Sequence, residues 1–220
     1  MSKLTIIAIG HTSRVGKDTA ANFMVQWCNE AGYRAKRFAF ASALKEACSE
    51  LFRMPSESFF NVNSSDRSVP LEECGDRTAT EVWCEFGEAM RAIQPTIWLD
   101  HCRCRIGEWQ CRDVLLCNNP SRSGGVMVSD PHHVAIISDL RHINEWDYMR
   151  SNPHCHSVQV VRPDIAKVEA AIVDGQLDGC EFDSRILNDG DLMALKANSE
   201  ATVRRILLLQ QQGGGYYDNK

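Results

Sequence analysis

The sequence predicts an α/β protein in three layers, with a mostly parallel sheet of about five strands and helices on both faces. The first observation is the unbroken apolar run LTIIAI at residues 4–9, which is typical of a strand buried on both faces. The second is a helical pattern that follows a glycine-bearing loop, because apolar residues recur at intervals of three and four between Ala20 and Trp27. A second strand and helix come next, at 35–40 and 44–51, and this alternation is typical of a doubly wound fold.

The same periodicities predict the other elements. Further strands are expected at 134–138 and 157–163, with a last short strand and turn within 185–195. Helices are expected through 82–90, 98–106, 143–149, 165–172 and 200–210, with Pro95 separating the first two. Residues 53–78 are polar and predict a loop or flap, while VLLC (114–117) and VMVS (126–129) predict a hairpin around NNPSRSGG.

Length and composition narrow the class of protein. A chain of 220 residues can bury one α/β core, so we expect a single domain over 1–211 and a flexible glycine-rich tail at 212–220. The formal charge of −5 weighs against a general nucleic-acid binder, since such proteins are usually basic. The sequence contains neither an apolar run of roughly 18 residues nor a signal-peptide pattern, so a cytoplasmic protein without a membrane partner is expected.

Ten cysteines are scattered along the chain, most densely at 102, 104, 111 and 117. Without an export signal, reduced thiols are the expected state. Zinc ribbons and fingers normally use C-x-x-C pairs, and the sequence has none. Free thiols are therefore favoured, with a structural zinc as the alternative.

The segment IGHTSRVGKDTAAN (9–22) is similar to a phosphate-binding loop. The usual pattern, G-x-x-x-x-G-K-S/T, would place glycine at position 11 and a hydroxyl at position 18, where this chain has His11 and Asp18. A strand-to-helix turn directs several backbone N–H groups at one place, and a lysine there reaches the outer phosphates. The functional interpretation is favoured by context; the alternative is an ordinary turn with a capping Asp18 and a solvated Lys17.

A second carboxylate is expected at the end of a neighbouring strand, to hold Mg²⁺ or a water molecule bound to it. Asp139 follows the apolar run VAIIS and is placed for this role, while Arg141 is placed to pair with a phosphate. The alternative is a strand-end cap followed by a surface arginine.

Several stretches carry a family resemblance through their shared order. They are GKDT (16–19), FAFASALKEACSELF (38–52), FGEAMRAIQPTIW (86–98), ISDLRHINEW (137–146), VVRP (160–163) and ILNDGDLMAL (186–195). In this order they resemble the phage-type deoxynucleoside monophosphate kinases, within the P-loop nucleotide kinases. The resemblance covers most of residues 4–210.

The resemblance implies phosphoryl transfer from ATP with Mg²⁺ in a P-loop kinase fold with small lid and acceptor insertions. Lys17, Asp139 and Arg141 would be catalytic, and Asp18, Thr19 and Asp139 would surround the metal. The ATP phosphates would be bound by Ser13, Arg14, Val15, Gly16, Lys17, Asp18 and Thr19. The acceptor would be bound by Lys45, Glu88, Arg91 and Arg141. Arg162 would begin a lid at about 162–182.

Three functions are considered. The first is a phage-encoded kinase of deoxynucleoside 5′-monophosphates in the host cytoplasm. Its partners would be ATP and a nucleotide acceptor, and whether it forms a homodimer is left open. The second is a kinase of 5-hydroxymethyluracil in phage DNA, because HCRCRIGEWQCR (101–112) interleaves arginines with a tryptophan suited to an exposed base. The third is a nucleotide-binding regulator or inactive kinase.

Overall fold

The structure of the protein is a computed structural model that describes residues 3–10, 12, 14–62, 64–117, 131–163 and 176–213. It divides into two compact units. We call Met1–Phe38 together with Ile106–Lys220 the sheet unit, and Ala39–Arg105 the inserted unit. The single domain over 1–211 stays a prediction, and the tail at 212–220 lies almost wholly outside the described residues. None of the described helices is both long enough and apolar enough to cross a membrane.

Most strands and helices of the sheet unit lie close to their predicted positions. In chain order the strands are β1 (Leu4–Gly10), β2 (Arg34–Phe38), β3 (Pro70–Leu71), β4 (Arg77–Thr78), β5 (His133–Leu140), β6 (Cys155–Val161) and β7 (Ser184–Leu187). The helices are α1 (Lys17–Glu30), α2 (Ser42–Leu51), α3 (Glu57–Val62), α4 (Ala79–Ile93), α5 (Ile97–Cys117), α6 (Ile143–Ser151) and α7 (Leu192–Gly213). Short 3₁₀ helices lie at Ser64–Ser68 and Glu72–Cys74.

A five-stranded sheet in the order β2-β5-β1-β6-β7 forms the centre of the sheet unit. All four strand pairs are parallel. Strand β1 lies in the middle of the sheet, and its residues from Thr5 to Gly10 are all buried, which accounts for its unbroken apolar sequence. The carboxyl ends of parallel strands meet at one edge, and ligands bind there in open α/β sheets.

The pleat of β5 shows that both faces of this sheet are covered by helices. Val134 and Ile136 belong to the core that also contains buried residues of α1 and α7. His133 alternates with Val134 and therefore points to the opposite face, where its ring meets Trp109 of α5 at 4.9 Å between centroids. The predicted three-layer α/β fold with a five-stranded parallel sheet is confirmed.

The inserted unit has its own core, and here one prediction is wrong. Residues 53–78 contain α3, two 3₁₀ helices and the β3–β4 hairpin, whereas a loop or flap was expected. Phe60 is 1% exposed and meets the Trp83 ring edge-on at 5.3 Å. Isolated apolar side chains such as Met54 and Phe60 anchor these short elements, and they carry no periodic signal because each element is too short for one.

A second correction concerns residues 114–117, which were predicted as a strand. They form the last turn of α5. Neither glycine nor proline lies between Trp109 and Cys117, so an established helix continues through the two leucines, which are good helix formers. The predicted strand at 126–129 and the predicted helix at 165–172 lie outside the described residues.

Candidate functional site

The end of strand β1 explains why the first glycine of the motif comes one place early. A Cβ atom on Gly10 would lie 2.8 Å from the carbonyl oxygen of Leu140 and 3.0 Å from its Cβ, so only glycine fits. The pairing also shifts here, because Ala8 lies opposite Ile137 while Gly10 lies opposite Leu140. Gly10 is thus the last residue of a strand and packs β1 against a bulge in β5.

The loop that follows makes a tight turn into α1. Arg14 has φ 60° and Gly16 has φ 94°, so two left-handed residues flank the buried Val15. The backbone of such turns exposes consecutive N–H groups on a concave side, which is how anion-binding nests form. A non-glycine residue in this conformation costs roughly 1–3 kcal/mol, and such strain occurs preferentially at functional sites. His11 and Ser13 lie outside the described residues.

Lys17 is the first residue of α1, and its side chain folds back over the loop. The residue is only 7% exposed, and its Nζ atom donates to the carbonyl oxygen of Thr12. The interpretation as a solvated lysine is therefore wrong. A buried ammonium group beside the amino end of a helix produces a strongly positive local field, which suits the outer phosphates of a nucleotide.

Asp18 is in the first turn of α1 and links that turn to the carboxyl ends of two strands. Its Oδ1 atom accepts a hydrogen bond of 2.8 Å from Ser138 Oγ on β5 and lies 3.4 Å from Arg37 Nη1 on β2. The N-cap position belongs to Gly16, so Asp18 is not the capping residue of the alternative interpretation. Thr19, the next residue, is half-buried.

The carboxyl end of β5 carries Asp139 and Arg141, both half-buried. The turn after them is held by Glu145, which is 2% exposed and whose Oε2 accepts the backbone N–H groups of Arg141 at 2.9 Å and His142 at 3.1 Å. Glu145 thus caps α6 and orients the backbone that carries Asp139 and Arg141. The sequence pattern D-x-R-x-x-N-E accordingly contains a structural glutamate.

The oxygen-bearing side chains at this edge suit Mg²⁺ by their chemistry. Mg²⁺ is usually bound by one or two carboxylates together with waters and substrate phosphates. Asp18, Thr19 and Asp139 would supply two carboxylates and a hydroxyl, and the Asp18 carboxylate is held in position by Ser138. Within the described ranges, three or more His, Cys, Asp or Glu side chains do not cluster as a metal cage would require. These donors fit Mg²⁺ by their chemistry, and their assignment as its ligands stays a prediction.

The proposed acceptor residues other than Arg141 lie in the inserted unit, and each has a charged partner there. Lys45 Nζ is 2.7 Å from Glu57 Oε1 and 5.3 Å from the centre of the Trp83 ring. Arg91 Nη1 is 2.9 Å from Glu88 Oε1, one helical turn away. An acceptor phosphate would have to compete with these carboxylates for the two cations.

The arginine- and tryptophan-rich segment of α5 is used in packing. Trp109 contacts Phe38 at 5.5 Å and His133 at 4.9 Å between ring centroids. Arg105 forms a bidentate pair with Glu46. Trp109 is half-buried by these contacts, while Arg103 and Arg112 of the same segment are exposed, and recognition of a base in DNA stays a prediction.

The cysteines of the described chain are thiols without disulfide bonds, and several are deeply buried. Burial raises the pKa of Cys28 and of Cys155 to about 12. Neither is a thiolate at neutral pH, so neither is a suitable nucleophile or zinc ligand.

One contact of the loop was not predicted from the sequence. Asn188, directly after β7, donates its side-chain amide to the Val15 carbonyl oxygen at 2.9 Å. The only signal for it was its place at the end of a strand in the stretch ILNDGD. Arg162, the predicted first lid residue, is exposed after β6, and residues 164–175 of the predicted lid lie outside the described chain.

Comparisons with known proteins add little to these observations. No protein-family model matches the chain, and no curated protein matches it. The solved structure of a gluconokinase from Sinorhizobium meliloti 1021 is similar at 15% identity, over 94% of this chain and 96% of that one, with a TM-score of 0.39. So low a TM-score carries no functional information.

Proposed function

We propose that the chain is a P-loop kinase that transfers the γ-phosphoryl group of ATP to a deoxynucleoside 5′-monophosphate. The observation that supports ATP binding is the position of Lys17, because its buried ammonium group lies over the turn that joins a central parallel strand to a helix. A solvated lysine after an ordinary turn would not be folded onto the loop carbonyl of Thr12.

In the proposed reaction an oxygen of the acceptor 5′-phosphate attacks the γ-phosphorus atom. The bond from that phosphorus to the β,γ-bridging oxygen breaks, and ADP leaves. Lys17 and the N–H groups of residues 14–19 would stabilise the charge on the phosphate oxygens. Mg²⁺ would be held by Asp18, Thr19 and Asp139 together with the nucleotide, and it would neutralise charge on the β- and γ-phosphates.

A deoxynucleoside monophosphate is proposed as the acceptor because of the order of the motifs and because several cationic side chains could bind its phosphate. Arg141 follows Asp139 on the same strand end, and Arg91 would exchange its pairing with Glu88 for the acceptor phosphate. Lys45 would contribute to acceptor binding from α2, and Arg162 would close over the donor nucleotide. We propose that the protein acts in the cytoplasm, which for a phage-encoded protein would be the cytoplasm of the host.

The reaction is tested by incubating the protein with radiolabelled ATP, Mg²⁺ and each deoxynucleoside monophosphate in turn. Label in a free diphosphate supports the proposal. A parallel reaction with DNA containing or lacking 5-hydroxymethyluracil tests the alternative acceptor. Binding of ATP without transfer to any acceptor would contradict the kinase assignment and support a regulator.

The contribution of the loop is tested with Lys17→Ala and Lys17→Met. We expect turnover to fall by at least about 100-fold, because a preorganised charge at the transferred phosphate is lost. Lys36→Ala is the matched control, since Lys36 is an exposed lysine on β2 whose Nζ atom lies 5.4 Å from the centre of the Phe38 ring. Normal turnover of a folded Lys17 variant would contradict the proposed phosphate site.

A further inference from the structure

Residue Asn188 connects the far edge of the sheet to the phosphate loop. Its backbone N–H donates to the carbonyl oxygen of Val161 at 2.8 Å, which ties it to the carboxyl end of β6. The next residues are also fixed, because Asp191 Oδ1 accepts the N–H of Ala194 at 2.8 Å at the start of α7. The Asn188 side chain therefore starts from an anchored backbone.

The side chain of Asn188 contacts the loop at two consecutive residues. Its Nδ2 atom donates to the carbonyl oxygen of Val15 at 2.9 Å. The same atom would be only 2.8 Å from a Cβ atom on Gly16, so the amide fills the space that a side chain would need. The glycine and the asparagine are thus complementary in shape.

The hydrogen bond to Val15 also determines where the next N–H group points. A trans peptide is planar, and its C=O and N–H groups point in opposite directions. None of the described peptide bonds is cis. Holding the Val15 carbonyl toward Asn188 therefore aims the Gly16 N–H away from Asn188.

We propose that Asn188 is a positioning residue for the phosphate loop, which aims the Gly16 N–H at the β-phosphate of ATP. This proposal rests on the proposed ATP site, whereas the hydrogen bond from Asn188 to Val15 is independent of it. Asn188 acts through the loop backbone and touches neither reacting group. Its effect belongs to ATP binding, so we expect a rise in KM for ATP with a smaller change in kcat.

The variants Asn188→Ala and Asn188→Asp separate positioning from general stability. Removing the donor raises KM for ATP by about 5- to 10-fold, as expected for the loss of one hydrogen bond. Asn188→Asp has the same shape, but its charged carboxylate cannot donate and faces a carbonyl, so it raises KM further.

Asn29→Asp is the matched control. The Asn29 amide also donates to a backbone carbonyl, that of Ala35 at 3.2 Å, but Asn29 lies in the last turn of α1, at the opposite end of that helix from the loop. We expect this variant to keep its KM for ATP. If Asn188→Asp showed the same KM as Asn29→Asp, the positioning role would be overturned.

Hydrogen exchange of the ATP-free protein distinguishes failure of this proposal from failure of the proposed function. The Ala20 N–H donates to the Gly16 carbonyl oxygen at 3.0 Å, so its exchange rate reports how firmly the Gly16 backbone is held. We expect faster exchange at the Ala20 amide in Asn188→Ala and an unchanged rate in Asn29→Ala. Unchanged exchange in both variants overturns the positioning role even if the protein is a kinase. If Ala20 exchange is faster in Asn188→Ala but the unmodified protein does not bind ATP, the loop contact stands while the proposed function and the phosphate-aiming role fail.

Discussion

Replacing Gly16 with alanine tests the shape of the loop at the residue where two constraints coincide. The backbone there has φ 94°, which L-residues rarely adopt. The added Cβ would also be 2.8 Å from Asn188 Nδ2, so the amide must move and release the Val15 carbonyl. Gly32 provides the comparison, because its φ is 89° but a Cβ there meets nothing within 4 Å.

The magnitude follows from adding the two effects. Backbone strain in this conformation costs about 1–3 kcal/mol at either glycine. Displacing Asn188 adds about 0.5–1.5 kcal/mol for the lost hydrogen bond at Gly16 alone. For a chain of this size each kcal/mol lowers Tm by roughly 2–4 °C. Because the strain is common to both variants, we expect Gly16→Ala to melt about 1–6 °C below Gly32→Ala.

The assay is thermal unfolding followed by circular dichroism, with KM for ATP measured on the same samples. Gly32→Ala should keep its KM, whereas Gly16→Ala should raise it. The double variant Gly16→Ala with Asn188→Ala should melt no lower than Gly16→Ala, because the clash and the hydrogen bond are both already lost. Equal melting temperatures for the two single glycine variants, or additive losses in the double variant, would refute the described packing.

Two further predictions concern the carboxyl end of β5 and the opposite edge of the sheet. Glu145→Ala leaves the N–H groups of Arg141 and His142 without their carboxylate acceptor and should lower the free energy of unfolding by about 1–3 kcal/mol. Glu145→Gln should lose less, because it keeps an acceptor oxygen. Equal Tm values for the two variants, measured by calorimetry, would contradict this. Burial, with smaller contributions from Lys3 and His133, lowers the pKa of His132 from 6.5 to about 4. Between pH 4 and pH 6.5 the unfolded chain therefore binds more protons than the folded protein, so stability falls as the pH is lowered through this window. His132→Gln should flatten the dependence of Tm on pH. Identical profiles of Tm against pH for the variant and the unmodified protein would argue against this role of His132.

The sheet and its helices could be predicted because their signals are local. An apolar run such as 4–9 or a helical repeat such as 82–90 contains its own evidence. The elements within residues 53–78 could not be predicted in this way, because α3 and the 3₁₀ helices are held by single buried side chains such as Phe60. The burial of such a side chain depends on the rest of the unit. Residues 114–117 failed because a four-residue apolar run fits a strand as well as the end of a helix.

The site shows the same division. The GKDT stretch and Asp139 could be predicted as site residues, since an apolar run precedes each of them in the sequence. Their supporting contacts were not, because Ser138 is 120 residues from Asp18 and Asn188 is 173 residues from Val15. Such pairs meet only when parallel strands bring their carboxyl ends to one edge.

By itself the sequence determined that a buried strand, a glycine-bearing turn and a helix beginning at Lys17 would be consecutive, because hydrophobic periodicity and glycine act locally. Only the tertiary structure decided what the two glycines do. Gly10 is required by the approach of Leu140, and Gly16 by its left-handed backbone and the amide of Asn188. The physical reason is that glycine becomes necessary where a part of the chain that is distant in sequence occupies the place of a Cβ atom. The register and order of the strands decide which part of the chain lies there.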